Sequence, residues 1–158
     1  MDYPKLPGLT PDGRVYWNEE MGTIEARIPN GGYRSGHGPA LLELPNGDLL
    51  CVWFAGSFEG NADVHIVCSR LEKDSEAWTE PVDVSGDPER SEQNPSLFYG
   101  PDGAAWCMYT AQLDRQAGKD NMQFTAVVRC QKSTDGGRTW GPYAVSYTHL
   151  TLPTIRLV

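Results

Sequence analysis

Two stretches of this chain follow one grammar at a fixed offset, and that repeat limits the fold more than any other feature. Residues 39–53 align with residues 95–109 without a gap (95 − 39 = 56), bringing Pro39 onto Pro95, Pro45-Asn46-Gly47 onto Pro101-Asp102-Gly103, and Cys51 onto Cys107. Each copy is an apolar run, a Pro-Asn-Gly or Pro-Asp-Gly turn, and a second apolar run. Asn-Gly and Asp-Gly tolerate the positive φ that tight turns require, so each copy is predicted to be an antiparallel hairpin. The same register decides residues 104–116, which lack Gly and Pro and would otherwise admit a helix; they read as strand and loop.

The grammar continues beyond the hairpin. Residues 63–69 alternate, with Val64, Ile66 and Cys68 on one face, and lead to a polar turn ending at Trp78 and Pro81. Residues 124–130 lead in the same way to Trp140 and Pro142. A third strand and the start of a fourth are therefore expected in each unit, and four strands in about 60 residues is the pattern of a propeller blade. The predicted fold class is all-β: a partial β-propeller of about two four-stranded antiparallel blades, residues 39–94 and 95–144. Residues 1–38 are expected to be a lead-in holding one strand near residues 22–28. Residues 145–158 contain no Asp or Glu and no blade grammar. They are expected to lie outside the native module, although alternation over 147–152 is also what a third unit would start with. The charged loop 114–121 is expected to be exposed.

Composition narrows the partners. With 13 Lys+Arg against 21 Asp+Glu the net charge is −8, a field that repels phosphates and anionic headgroups, so neither nucleic acid nor membrane is an expected partner. The first residues lack a basic stretch followed by an apolar run, and a cytoplasmic location is expected. Cys51, Cys68, Cys107 and Cys130 match neither a zinc spacing nor a dense disulfide framework. They read as small buried hydrophobes. No metal or cofactor is expected.

One motif is more specific. Ser133-Thr134-Asp135-Gly136-Gly137-Arg138-Thr139-Trp140 fits Ser-x-Asp-x-Gly-x-x-Trp. An Asp carboxylate can accept backbone N–H groups of a tight turn, glycine permits positive φ, and tryptophan buries a large ring. Residues 69–78 keep a serine and a tryptophan but are longer and lack the second glycine, and read as a degenerate copy. This is the Asp box, and from about residue 36 to 142 the chain resembles the sialidase superfamily, also called the bacterial neuraminidase repeat family. The resemblance implies six blades around a central substrate pocket, with Asp boxes on the outer edge away from the catalytic centre, so Asp135 is expected to be structural. Six units need about 360 residues. The chain is therefore expected to be a fragment whose ring cannot close, and marginally stable alone.

The resemblance also implies where chemistry would lie. The family carries Arg-Ile-Pro at its first inner strand, where the arginine clamps a substrate carboxylate. Arg27-Ile28-Pro29 copies the letters, but alignment on the strand that begins at Pro39 puts His37 in the arginine's place, flanked by Gly36 and Gly38. An imidazole there suits acid/base work or hydrogen bonding to substrate. The loop after the second strand matches the region of the family's acid/base aspartate, making Asp63 the leading catalytic candidate, with Glu59 as a second carboxyl. Arg34, Gln93 and Asn94 precede the inner strands and are candidates for substrate binding. Trp53 and Phe58 suit either a sugar face or the core, whereas His65 and Tyr109 read as structural.

The expected function is that of a fragment of a sialidase-like exo-glycoside hydrolase acting on terminal sugars of glycans, with a carbohydrate as partner. Two alternatives stand beside it: a histidine-dependent propeller rhamnosidase or polysaccharide lyase, and a non-catalytic carbohydrate-binding propeller. The fragment alone is expected to be inactive.

Overall fold

The computed structural model of the chain describes residues 12–115 and 122–146. Among the described residues the fold is carried by strands β1 (Val15–Asn18), β2 (Thr23–Ala26), β3 (Ser35–Glu43), β4 (Leu49–Gly56), β5 (His65–Leu71), β6 (Val82–Asp83), β7 (Arg90–Tyr99), β8 (Ala105–Leu113), β9 (Val127–Ser133) and β10 (Ala144–Ser146). A 3-10 turn, Met122–Thr125, precedes β9. Two four-stranded antiparallel sheets, β3-β4-β5-β6 and β7-β8-β9-β10, follow one another, and β1-β2 form a separate hairpin.

The two sheets have the same internal register. His37 faces Phe54 and Ala40 faces Val52 in the first sheet; Gln93 faces Thr110 and Ser96 faces Met108 in the second, every partner displaced by the offset of the sequence repeat. Both hairpins close identically: Gly47 N–H donates to Leu44 O and Gly103 N–H to Gly100 O, at 2.8 and 3.1 Å, with Gly47 and Gly103 at φ 86° and 76°. A three-residue loop ending in a left-handed residue needs that glycine. Residues 105–113 are strand throughout, as the repeat requires.

Four expectations are revised. The lead-in holds a hairpin, β1 with β2, rather than one strand. The inner strands begin at Ser35 and Arg90, ahead of the boundaries drawn at 39 and 95, because a bulge carries each strand through its proline. The third strand of the second sheet starts at Val127, residues 122–125 being a 3-10 turn. Of the segment set apart at 145–158, Val145 and Ser146 pair with Arg129 and Val128 in β10. The rest of that tail lies outside the described residues, as do residues 116–121 of the charged loop.

The main core lies between the sheets. Leu50, Val52, Phe54, Val64, Ile66 and Cys68 of the first meet Ala105, Cys107 and Tyr109 of the second, all buried. Each fully buried aliphatic chain contributes about 1.5–3 kcal/mol. The opposite face of the first sheet, Cys51, Trp53, Ala55 and Val67 with Trp78, is covered by Ala26, Ile28 and Tyr33 of the lead-in. Backbone bonds tie that cover down, Gly13 N–H to Arg27 O and Trp78 N–H to Gly13 O, at 3.1 and 3.0 Å.

The Asp box does two jobs. Within its turn, Asp135 Oδ1 accepts from the N–H of Arg138 and Thr139 and from Ser133 Oγ, and Oδ2 accepts from Thr139 Oγ1, at 2.6 to 3.1 Å. Burial alone would raise the Asp135 pKa, but the bonds from Thr139, Ser133 and Arg138 outweigh it and hold the group at about 2. Across the seam, Arg70 donates to Gly136 O at 2.8 Å, and Gly137 lies so close to Leu50 that a Cβ would come within 2.7 Å of it. In the first sheet Ser69 is not the box serine. Cys68 and Cys130 occupy matching places opposite Val52 and Met108, which sets Ser69 level with Gln131 and Leu71 level with Ser133. There Asp48 supplies the missing acceptor, taking the Lys73 N–H at 2.8 Å and pairing with Arg70.

Candidate functional site

The strand directions gather the sequence candidates at one end of both sheets. Ser35 pairs with Gly56, Ala55 with His65 and Arg90 with Leu113, so the start of each inner strand and the β4–β5 connection share a rim. Glu92 N–H to Val64 O and Arg115 N–H to Gly60 O, at 2.9 and 2.8 Å, join the two sheets along it. The Asp box and both Pro-Asn/Asp-Gly turns lie at the opposite end.

A cleft of about 330 Å³ opens beside this rim, between the lead-in and β3–β4, lined among others by Asn30, Tyr33, Arg34, Gly36, His37 and Trp53. His37 is exposed and stacks on Phe54, ring centroids 5.6 Å apart at 26°. Gly38 permits that stack: its φ is 61°, and a Cβ would sit 3.0 Å from the Phe54 ring. Gly36 keeps an edge of the Trp53 indole open to the cleft, since a Cβ there would stand 3.2 Å from Cδ1. An imidazole, a guanidinium, a phenol and an indole edge thus share one concavity. Rings that stack and polar groups that point inward are the usual lining of a small-molecule site.

The carboxyl candidates behave differently from each other. Asp63 is tied at both oxygens: Ser57 N–H donates to Oδ2 at 3.0 Å and Ser57 Oγ to Oδ1 at 2.8 Å. Its carboxylate closes the β4–β5 loop. Glu59, four residues earlier, is exposed on that loop beside Phe58, over whose ring Arg115 stands at 5.1 Å. Among the second-sheet candidates, Gln93 is buried with its Nε2 donating to Ser91 Oγ at 2.9 Å, so it faces inward. Asn94 is exposed on the bulge at φ 53°. The structure therefore brings His37 and Arg34 into one cleft, sets Glu59 and Asp63 on the adjoining loop, and puts Gln93 elsewhere.

Two groups escaped the sequence reading. Tyr33 and Asn30 enter the cleft through a turn in which Asn30 Oδ1 accepts the Gly32 N–H at 3.0 Å and Asn30 Nδ2 donates to Tyr33 O at 3.1 Å. The Asn30-Gly31-Gly32 run was the available signal. Burial, with Asp83 close by, raises the Tyr33 pKa, so its hydroxyl stays protonated. Behind the rim, Arg129 donates to Glu92 Oε1 and Asp87 Oδ2 at 2.9 and 2.8 Å, with its guanidinium 4.0 Å from the centre of the Tyr143 ring. Asp87, Glu92 and Arg129 are joined by no local pattern. Among the described residues no three His, Cys, Asp or Glu stand close enough together to hold a metal ion.

Residues 47–155 match the model of the BNR repeat-like domain. The chain belongs to that family. No curated protein matches it. Among solved structures, this BNR repeat chain is similar to the Hadza microbial sialidase Hz136, at 15% identity over 74% of this chain and 27% of that one, with a TM-score of 0.61. It is also similar to a protein of unknown function from Dyadobacter fermentans, at 20% identity over 71% of this chain and 37% of that one, with a TM-score of 0.54. It spans about a quarter and just over a third of their respective lengths. At these identities the likeness is one of fold: the two sheets are successive blades of a partial propeller of the sialidase kind, and among the described residues no sheet closes on itself.

Proposed function

We propose that the chain forms part of the sugar-facing wall of a sialidase-like glycoside hydrolase, its cleft receiving a terminal sugar of a glycan. The observation that carries this is the placement of His37, Arg34 and the Trp53 edge in one concavity, at the end of the blades opposite the Asp box. The indole edge offers an N–H donor toward a sugar hydroxyl, Arg34 a donor fork for a polar or anionic substituent, and His37 an imidazole suited to acid/base work. Glycosidic cleavage needs a proton donor at the leaving oxygen. In this reading Glu59 or His37 supplies it, and Asp63, with both oxygens bound to Ser57, fixes the loop that presents Glu59. No nucleophile is assigned to this chain.

The engagement of Asp63 also supports a second reading, a carbohydrate-binding propeller without hydrolysis. Assays of the full-length parent protein on a panel of 4-methylumbelliferyl glycosides, sialoside included, with parallel binding measurements, separate the two. Turnover that falls at least tenfold in Glu59→Gln or His37→Ala while binding persists supports the hydrolase. Binding without turnover supports the second reading, and absence of both contradicts each.

A further inference from the structure

His65 was expected to be structural, yet it sits at a junction of three segments. Its Nδ1 lies 3.0 Å from Asp63 O, and its Nε2 lies 3.1 Å from both Asp83 Oδ1 and the Tyr33 hydroxyl. The Tyr33 hydroxyl also reaches Asp83 Oδ1 at 3.3 Å, and its ring meets the imidazole edge-on, centroids 5.3 Å apart. The titratable groups facing the imidazole are Tyr33 from the lead-in and the Asp83 carboxylate from β6, and the loop contributes the neutral Asp63 backbone carbonyl. From β4 the paired residue is Ala55, which does not titrate.

One protonation state satisfies all of these contacts together. A carbonyl oxygen can only accept, so Nδ1 carries a hydrogen; a carboxylate oxygen can only accept, so the full contact at Nε2 requires a second hydrogen. Only the imidazolium donates from both nitrogens. When Nε2 loses its proton, its lone pair takes the Tyr33 O–H and faces the Asp83 carboxylate, acceptor against acceptor. Asp83 then has no cation there, and its side chain, 70% exposed, is free to turn to water. What it loosens is the edge strand β6, two exposed residues that pair with Val67 and Cys68 and are followed by Val84, whose N–H donates to Ile66 O at 2.8 Å.

We propose that Tyr33, His65 and Asp83 form a proton-operated clamp that holds the lead-in and β6 against the β4–β5 loop when His65 is charged and loosens when it is neutral. Because Tyr33 lines the cleft and Asp63 anchors the loop bearing Glu59, the clamp couples pH to the shape of the rim, whether or not the rim meets sugar.

The test is amide exchange in the full chain, corrected for intrinsic rates, at about pH 5.5 and about pH 8. Protection at residues 82 and 83 is expected to drop roughly fivefold or more at the higher pH, with no matching drop where β9 pairs with β10. Asp83→Asn, a substitution at an exposed side chain that leaves the core untouched, is expected to abolish the pH step. Equal protection at both pH values in the unaltered chain, or a step that survives in Asp83→Asn, would overturn the clamp.

Discussion

Gly38 and Asn94 make the same left-handed step in successive blades, at φ 61° and 53°, separated by the repeat offset (94 − 38 = 56). Each sits in the register shift of an inner strand, between His37 and Ala40 or between Gln93 and Ser96, directly before a proline. Asn94 is the one residue other than glycine with positive φ among those described. A bulge with that conformation re-aims the residues before it, and in the first blade it turns His37 out over Phe54. In both blades the bulge is what delivers the start of the inner strand to the rim.

Because the step is left-handed, Asn94→Gly is expected to leave stability within about 0.5 kcal/mol, whereas Asn94→Val should cost about 1–2 kcal/mol through its branched Cβ. Urea unfolding at constant m reads both.

Gly137 is constrained by conformation and by space, with φ 85° and Leu50 filling the place of a Cβ. Gly137→Ala should cost about 2–3 kcal/mol at the seam between blades. Adding Leu50→Ala makes room, so the double variant should lose less than the sum of the two singles. A double-mutant cycle from denaturation midpoints checks the coupling.

The Asp135 pKa is held at about 2, below its ordinary 3.8. A depressed carboxylate stabilises the fold fully above the unfolded value and loses that contribution as pH falls through the folded one. The intact chain should therefore lose Asp135's contribution between about pH 4 and about pH 2. Asp135→Asn should start less stable and remove that part of the slope, which thermal melts across the window would show.

Arg70 is buried, pairs with Asp48 and donates to Gly136 O across the seam. Truncation to alanine leaves Asp48 without its cation and should cost about 3–5 kcal/mol. Arg70→Lys, which keeps charge but cannot span both partners, should fall between. Calorimetric melts at one protein concentration rank the three.

Burial pushes the thiols of Cys51 and Cys68 up, to about 11 and about 12. Neither should react with an aromatic disulfide reagent at about pH 8 while the chain is folded, since the thiolate is the nucleophile. Both should react once urea unfolds it, and absorbance at the released thiolate band follows the difference.

The blade was legible because its information is local. Pro-Asn-Gly, Pro-Asp-Gly and the spacing of Cys51 and Cys107 fix turn chemistry and strand register together. Its earlier beginning was not, because Pro39 and Pro95 look like strand starts until Gly38 and Asn94 are seen to bulge. The first Asp box misled for a related reason: Ser69 and Trp78 preserve letters, while the work of the missing aspartate passes to Asp48, on a different turn. At the rim, the sequence set Arg34 and His37 near the start of the first inner strand, and both line the cleft. Gln93 stands one repeat beyond His37 in the same register but turns inward, because Ser91 gives its amide a buried partner. Tyr33, His65 and Asp83 meet only through the pairing of β5 with β6 and the folding of the lead-in over them, a juxtaposition no sequence window contains.

The most direct measurement is an amide-resolved NMR titration of the chain with monosaccharides and short oligosaccharides, sialic acid among them. Saturable shifts are expected at residues 33–37 and 57–60, lost in His37→Ala, with residues 133–140 unmoved. Shifts centred on the Asp box, or none with any sugar at millimolar concentration, would contradict a sugar-facing rim.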